Sequence, residues 1–320
     1  MKKVLLLVNS LPETPSEDEL DVLVQAEAIE GALGELGHRY QRAFCDLNLD
    51  STRALVQEKK PDLVFNLVET LGGKGALIHL LPSLLESMQV PFTGTPGYGL
   101  MVTTDKVRTK QLLREQEIPT PDWIAPGGTG VPDPGKKYIV KPVWEDGSAG
   151  ITDASIVDGG NFDFSSFTSS PRSRGLFLEE FIDGREFNIT LLAGPGGPEV
   201  MPAAEMCYVD YPPDKPKILN FASKWEPGSF EYRKTVRSFS LGPEDRELVG
   251  EMNGISLKCW DHFELRGYAR VDFRVDPLNR PYVLEVNANP CISPDAGFVA
   301  ACKEGGIPYR AMIERILNDI

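Results

Sequence analysis

The sequence predicts an α/β protein: an N-terminal doubly wound parallel sheet followed by an α+β half. Three observations carry this. The apolar run Val4–Val8, closed by Asn9, is continuous, as in a strand buried on both faces. Residues 21–36 repeat apolar side chains at helical spacing, with Val22, Ala26, Ile29, Leu33 and Leu36 on one stripe. Near the other end, 270–276 and 282–287 alternate between apolar and polar residues, the period of strands with one dry face.

The remaining elements follow in order. Glu17 to Glu19 supply negative charge where the first helix begins, and Gly37 stops it. Leu63–Asn66 is a second short buried strand, 78–88 a helix in spite of Pro82, and 90–94 leads into a turn at Thr95–Gly97. This alternation implies an open parallel sheet. A helix from Leu100 to Gln116 ends before Pro119 and Pro121, and Ala125–Gly135 is a Pro/Gly loop. Strands are expected at Tyr138–Pro142 and Gly175–Ile182, with a loose polar stretch at 165–173 between them. Strands near 187–193 and 202–208 are joined by the Gly194–Pro198 turn, and a Pro-rich loop covers 211–216. Helices at 244–262 and 309–317 complete the chain.

A chain of 320 residues exceeds what one core serves, and three units are expected, at 1–99, 100–178 and 179–320. The 47 acidic against 33 basic residues, net −14, argue against a nucleic-acid or anionic-membrane partner. No run of 18 apolar residues is present, and Val4–Val8 is too short for a signal peptide. Five cysteines without a C-x-x-C pair fit reduced thiols in a cytoplasmic protein.

The hairpin near residue 280 holds the most chemistry. Val271, Phe273 and Val275 point one way, and Arg270, Asp272 and Arg274 the other. In the second strand Tyr282, Leu284 and Val286 form the dry side, and Glu285 and Asn287 the wet one. If Pro277–Arg280 is a four-residue loop, Asp276 pairs with Pro281, Asp272 with Glu285, and Arg270 with Asn287. Two carboxylates and an amide oxygen then converge beside a guanidinium, a set that suits a hard cation such as Mg2+.

Further features lie in order along the chain. Lys106 opens a helix after Thr104 and Asp105, and Lys141 ends a strand. A loop containing Gly147, Ser148 and Gly150 follows, then Glu179–Ile182, Glu186, and Lys224 in a loop beside Trp225. With the hairpin, this order resembles the ATP-grasp fold, in particular the D-alanine–D-alanine ligase branch of carboxylate–amine ligases, over nearly the whole chain. The resemblance implies ATP and Mg2+ as cofactors, with Mn2+ as the alternative ion. Lys106 and Lys141 would contact the phosphates, and the Gly147–Gly150 loop would close over them, with Ser148 as a donor. Glu179 would face the adenine amino group, backbone groups of Glu180, Phe181 and Ile182 would read the adenine edge, and Glu186 would hold the ribose. Lys224 would be the second phosphate lysine, on a loop covering the acceptor. Asp272, Glu285 and Asn287 would bind the metal, and Arg270 would orient the carboxylate or acyl phosphate. The mobile candidates are 145–150 and about 208–236.

The implied reaction phosphorylates a carboxylate, expected to be that of an amino acid, to an acyl phosphate, and an amine then displaces phosphate. A peptide or natural-product acceptor is one alternative, and a nucleotide-binding module without turnover another; a homodimer is a further expectation. Five positions depart from the family's D-alanine specialists. They have glycine at Cys291, a serine at Gly147 and a tyrosine at Trp225. At Ala296 and Gly297 they have a serine–leucine pair that binds the second substrate's carboxylate. The segment Glu69–Gly75 is not a Walker A loop, because Val68 and Gly75 stand where Gly and Ser or Thr are needed. By the resemblance it borders the first substrate's pocket, with Glu69 as a contact. His38, His79 and His262 are too scattered for zinc, and Cys291 is read as an inert buried thiol.

Overall fold

The computed structural model describes residues 1–164, 167 and 175–320, so the polar stretch expected at 165–173 lies outside them except for Phe167. The N-terminal sheet is parallel, in the order β2-β1-β3, built from β1 (Lys3–Asn9), β2 (Arg39–Cys45) and β3 (Leu63–Leu67). Strand β1 is central, which explains its unbroken apolar run. Strand β2 was not expected from its sequence. As an edge strand it leaves most of its residues at least partly exposed and carries no buried face to read. The same holds for the helix Leu49–Lys59, whose buried residues are only Thr52 and Val56. The first helix, Glu17–Glu35, begins earlier than its apolar stripe. Ser16 and Glu19 form a capping box that extends it by a turn. Pro82 sits in the first turn of the helix Leu80–Ser87, where no intrahelical N–H is required.

The single helix expected from Leu100 to Gln116 is two, Gly97–Thr104 and Lys106–Glu115. Asp105 breaks them. Its backbone is extended and its carboxylate accepts from the Arg108 N–H, capping the second helix and placing Lys106 in its first turn.

The second sheet is antiparallel, in the order β4-β7-β5-β6, from β4 (Trp123–Ile124), β5 (Lys137–Pro142), β6 (Ile156–Asp158) and β7 (Leu176–Glu180). The third is antiparallel too. It comprises β8 (Arg185–Gly194), β9 (Gly197–Val200), β10 (Ala204–Tyr208), β11 (Thr235–Ser238), β12 (Tyr268–Val275) and β13 (Pro281–Asn287), in the order β11-β10-β8-β12-β13, with β9 also on β8. The Gly194–Pro198 turn thus leads into the extra strand β9 rather than directly into β10.

Two cores bind these layers. One joins Leu100, Leu113 and Ile118 to Phe187, Trp260, Phe273 and Val286. The other joins Val4, Leu6 and Phe65 to Tyr268, Phe298, Met312 and Ile316, so the C-terminal helices seal the N-terminal sheet. Among the described residues no helix is long and apolar enough to cross a membrane. The two antiparallel sheets share a cleft lined from β5, β7, β12 and β13.

Candidate active site

The floor of the cleft is the β12–β13 hairpin. Its loop closes one residue away from expectation: Val275, not Asp276, pairs with Pro281. Asp276 instead stays in the turn, accepting from the N–H groups of Leu278 and Arg280 at 2.9 and 3.0 Å. The offset is absorbed by a β-bulge. Phe273 pairs with Val283, and the next pair is Asp272 with Glu285, followed by Arg270 with Asn287. Leu284 is the extra residue, and it corrects the expected parity. Val283 and Val286 enter the core at 0% and 1% exposure, whereas Leu284 turns into the cleft wall and Tyr282 stays half-buried.

The acidic groups here sit among cations. Arg270 binds Asp272 through two parallel bonds of 2.7 and 2.8 Å, and Asn188 Nδ2 donates to the same carboxylate at 2.7 Å. Glu285 has no hydrogen bond among the described residues; Lys106 Nζ lies 3.7 Å and Arg270 4.0 Å away. Burial alone would raise its pKa, but Lys106, Lys224 and Arg270 outweigh it and hold the group at about 2. For Asp272 burial wins over Arg270 and the pKa is raised. Asn287 Oδ1 accepts from the Asn289 N–H at 3.1 Å. Among the described residues no three His, Cys, Asp or Glu side chains cluster as a metal site. The Asn287 amide, opposite Arg270, is the further oxygen on this side of the hairpin. The oxygen-only set, with Glu285 ionised and free of hydrogen bonds among the described residues, fits a hard divalent cation.

The lysines line the walls. Lys106 Nζ donates to Glu145 O at 2.8 Å and to Asp146 Oδ1 at 2.7 Å, tying the helix to the glycine loop. Burial opposes its charge, but Asp146 and Glu285 outweigh this and raise its pKa. Lys141, on β5, pairs with Glu179 on β7. Glu179 is 1% exposed and is held on its other oxygen by Lys110, 2.5 Å away. The two lysines overcome burial and keep the carboxylate below its ordinary pKa. Sequence reading missed Lys110. Its signal was position, four residues after Lys106 and so on the same helix face. Lys224 lies in a short helix, Phe221–Trp225, rather than the expected loop. Its ammonium makes no hydrogen bond among the described residues, and burial followed by Arg270 lowers its pKa.

The glycine loop is closed over the cleft. Ser148 Oγ donates to Leu219 O at 2.6 Å, and Trp225 Nε1 donates to Gly147 O at 3.0 Å. Gly147 and Ser148 both have positive φ, 66° and 64°, so the loop reverses sharply at the cost of one strained non-glycine residue. Ser148 is thereby engaged with protein, and its backbone aims the loop.

Beyond the lysines the cleft becomes an apolar slot. Ile139, Ile151 and Ile218 cluster there, with Ile156 and Phe181 packed against them. At its edge the Glu180 and Phe181 N–H groups are spent on Asp122 O and Lys137 O. This narrows the expected backbone readout on the donor side to the Ile182 N–H, which has no partner among the described residues. The Glu180 side chain points to Lys136 at 2.8 Å. Glu186 accepts from Tyr208 OH at 2.6 Å and lies 3.6 Å from Arg274 Nε. Arg274, 3% exposed, also donates to Gly184 O at 3.0 Å and to Lys217 O, bracing the rim of the slot.

On the opposite side of the hairpin, Gln25 joins the first helix to Glu69 at 2.8 Å. Asp21 accepts from Ser293 Oγ at 2.7 Å and from the Cys291 thiol at 3.0 Å. Burial, with Asp21 close by, raises the Cys291 pKa well above the ordinary thiol value and keeps it protonated.

Comparison with known proteins agrees with this geometry. The family model described as D-ala D-ala ligase C-terminus matches residues 136–318. A D-alanine–D-alanine ligase of Aquifex aeolicus is 28% identical over 307 residues, covering 95% of this chain and 96% of that protein. An uncharacterised protein of Sinorhizobium fredii, y4sG, is 29% identical over 308 residues, covering 92% of this chain and 86% of that one. The crystal structure of the Bacillus anthracis D-alanine–D-alanine ligase complexed with ATP shares the fold, with a TM-score of 0.74 at 20% identity over 100% of this chain and 97% of that one. The family match spans more than half of the 320 residues, and the chain belongs to the D-alanine–D-alanine ligase family of ATP-grasp carboxylate–amine ligases.

Proposed function

We propose that the chain joins a carboxylate substrate, an amino acid, to the amine of a second small molecule, with ATP and a divalent cation, Mg2+ by preference, bound in the cleft. The observation that carries this reading is that Asp272 and Glu285, with Asn287 opposite Arg270 on the same hairpin, share one cleft with Lys106, Lys141 and Lys224. The apolar slot at Ile139, Ile151 and Ile218 has the character required for a flat base, and the Ile182 N–H is the donor at its edge. Glu186, on the cleft wall, would hold the ribose. Lys106, Lys141 and Lys224 then face the phosphates, which overcomes the repulsion expected from a chain of net charge −14.

A divalent cation held by Asp272, Glu285 and Asn287 would supply charge neutralisation of phosphate oxygens. The chain's residues do the rest. Lys106 and Lys141 fix the phosphate tail, and Arg270, held rigid by Asp272, presents its guanidinium to the reacting carboxylate. The loop at Gly147 and Ser148 excludes water, which an acyl phosphate requires. The acceptor amine finally displaces phosphate and forms the amide. Glu69 and Asp21 border the space for the first substrate.

The test is phosphate release from ATP in the presence of a panel of D- and L-amino acids, with product mass. Release that depends on an added amino acid, and is lost by about 10²- to 10³-fold in Asp272→Asn with the fold intact, is the expected result. No stimulation by any member of the panel overturns the reading.

A further inference from the structure

Arg237 is a cation that the proposed chemistry leaves unused. It lies on β11, opposite Met206 of β10. Its Nε is buried and lacks a hydrogen-bond partner, and among the described residues it makes no ion pair. The surroundings deepen the puzzle. Burial and the charge of Arg270 both disfavour the guanidinium, and the charge of Asp295 supports it. A guanidinium within the field of a second arginine, with one buried donor unsatisfied, costs free energy unless an anion lies against it.

Gly297 shows that the placement is built in. A Cβ at this position would stand 3.1 Å from Arg237 Nη2 and 3.5 Å from Cζ and Nε. The backbone there is not left-handed, so the missing side chain serves the close approach of the guanidinium rather than a turn. A side chain at 297 would press on the guanidinium at the start of the helix Gly297–Glu304, and the guanidinium would have to shift to accommodate it. That helix has no side-chain cap, its first residue being preceded by Ala296.

We infer that Arg237 is the specificity residue that binds the carboxylate of the acceptor substrate, so that the acceptor is an amino acid or peptide with a free carboxylate. The inference rests on the ligase reading above and names the acceptor class for that site. Arg270 is committed through its paired bonds to Asp272 and serves the reacting carboxylate. Arg237, with no side-chain hydrogen bond among the described residues and its Nε buried, keeps its donors for a second, non-reacting carboxylate. With no side chain at 297, the acceptor's anchoring group can reach the guanidinium directly.

The experiment measures ligation with acceptors offered as free acids and as their carboxamides, at saturating ATP and donor, in the wild type, Arg237→Met, Arg237→Lys and Gly297→Ala. Wild type prefers the free acid. In Arg237→Met the acceptor KM for the free acid rises about 10- to 100-fold while the KM for ATP is unchanged, and the preference over the amide disappears. Arg237→Lys recovers part of the preference, and Gly297→Ala, which keeps the arginine but displaces it, weakens it. A wild type indifferent to amidation, or an Arg237→Met variant with unchanged acceptor KM, overturns this inference alone. A wild type with no amino-acid-dependent phosphate release overturns the ligase reading together with it. Should Arg237→Met fail to fold, Gly297→Ala and Arg237→Lys decide the question.

Discussion

Lys110 and Glu179 form a fully buried ion pair, Nζ to Oε1 2.5 Å, with side chains 0% and 1% exposed. Lys110 also donates to Thr120 Oγ1 at 2.8 Å, and Thr120 in turn donates to Val283 O at 2.7 Å. The pair therefore links the helix that carries Lys106, the sheet that carries Lys141 and the hairpin that carries Glu285. Its role is to fix where Lys141 sits, because the same carboxylate holds both lysines.

Removing Lys110 should accordingly act on stability first. Burial presses its pKa down to about 8 even with Glu179 beside it, so the pair pays heavily for desolvation. Lys110→Met leaves Glu179 with Lys141 alone and should cost about 3–5 kcal/mol in urea denaturation. The double variant Lys110→Met, Glu179→Gln should recover a large part of that loss, because no uncompensated carboxylate remains. Additive losses in the two variants would show that the pair does not act as a unit.

Closure of the glycine loop gives a second measurable quantity. Trp225 Nε1 donates to Gly147 O at 3.0 Å, and Trp225→Phe keeps the ring but removes the donor. Losing one such bond costs about 1 kcal/mol, which opens the loop roughly 5-fold more often. The expected outcome is a several-fold higher ratio of phosphate released to amide formed, since water then competes with the acceptor. An unchanged ratio would mean that the loop is held shut by Ser148 and Leu219 alone.

The pH dependence of stability has a predictable component from Glu69. Burial raises its pKa, Gln25 partly offsets this, Asp21 and Asp146 add to it, and the result is about 7 against an ordinary 4.5. Because the folded pKa is the higher, the native state binds more protons between those values. The group's contribution to stability is therefore intact below pH 4.5 and lost as pH rises through 7. Glu69→Gln should remove this slope and gain about 1–3 kcal/mol over wild type at pH 8 but little at pH 4. Equal differences at both pH values in urea denaturation would exclude Glu69 as the source.

How far the sequence reveals these features depends on whether a property is written in side-chain pattern or in backbone path. Val271, Phe273 and Val275 alternate without interruption, and β12 is legible from them. Strand β2 is not, because an edge strand with Arg39, Tyr40 and Gln41 exposed has no dry face to betray it. Asp105 was readable as a helix start yet not as the break between two helices, since the apolar spacing runs through it. Counting back from Asp276 pairs Asp272 with Glu285, and the structure has the same pair because the longer turn and the bulge at Leu284 offset each other. Lys110 and Arg237 escaped notice because their importance lies in partners brought by distant strands and helices.

The bulge itself supplies the sharpest contrast between pattern and path. Uninterrupted alternation would make Leu284 a core residue and Val283 a surface one, whereas Val283 is 0% exposed and Leu284 lines the cleft. Val283→Ala should therefore cost about 1–3 kcal/mol, the scale of removing buried methyl groups from a packed core, and leave the KM for ATP nearly unchanged. Leu284→Ala should do the reverse. It would lower stability by less than about 1 kcal/mol and raise the KM for ATP several-fold, because it removes an apolar wall of the nucleotide slot without opening the core. Denaturation midpoints and ATP saturation curves on the two variants separate the cases. If Leu284→Ala proves the more destabilising, the ladder runs without the bulge, and Glu285 and Asn287 no longer share a face with Asp272.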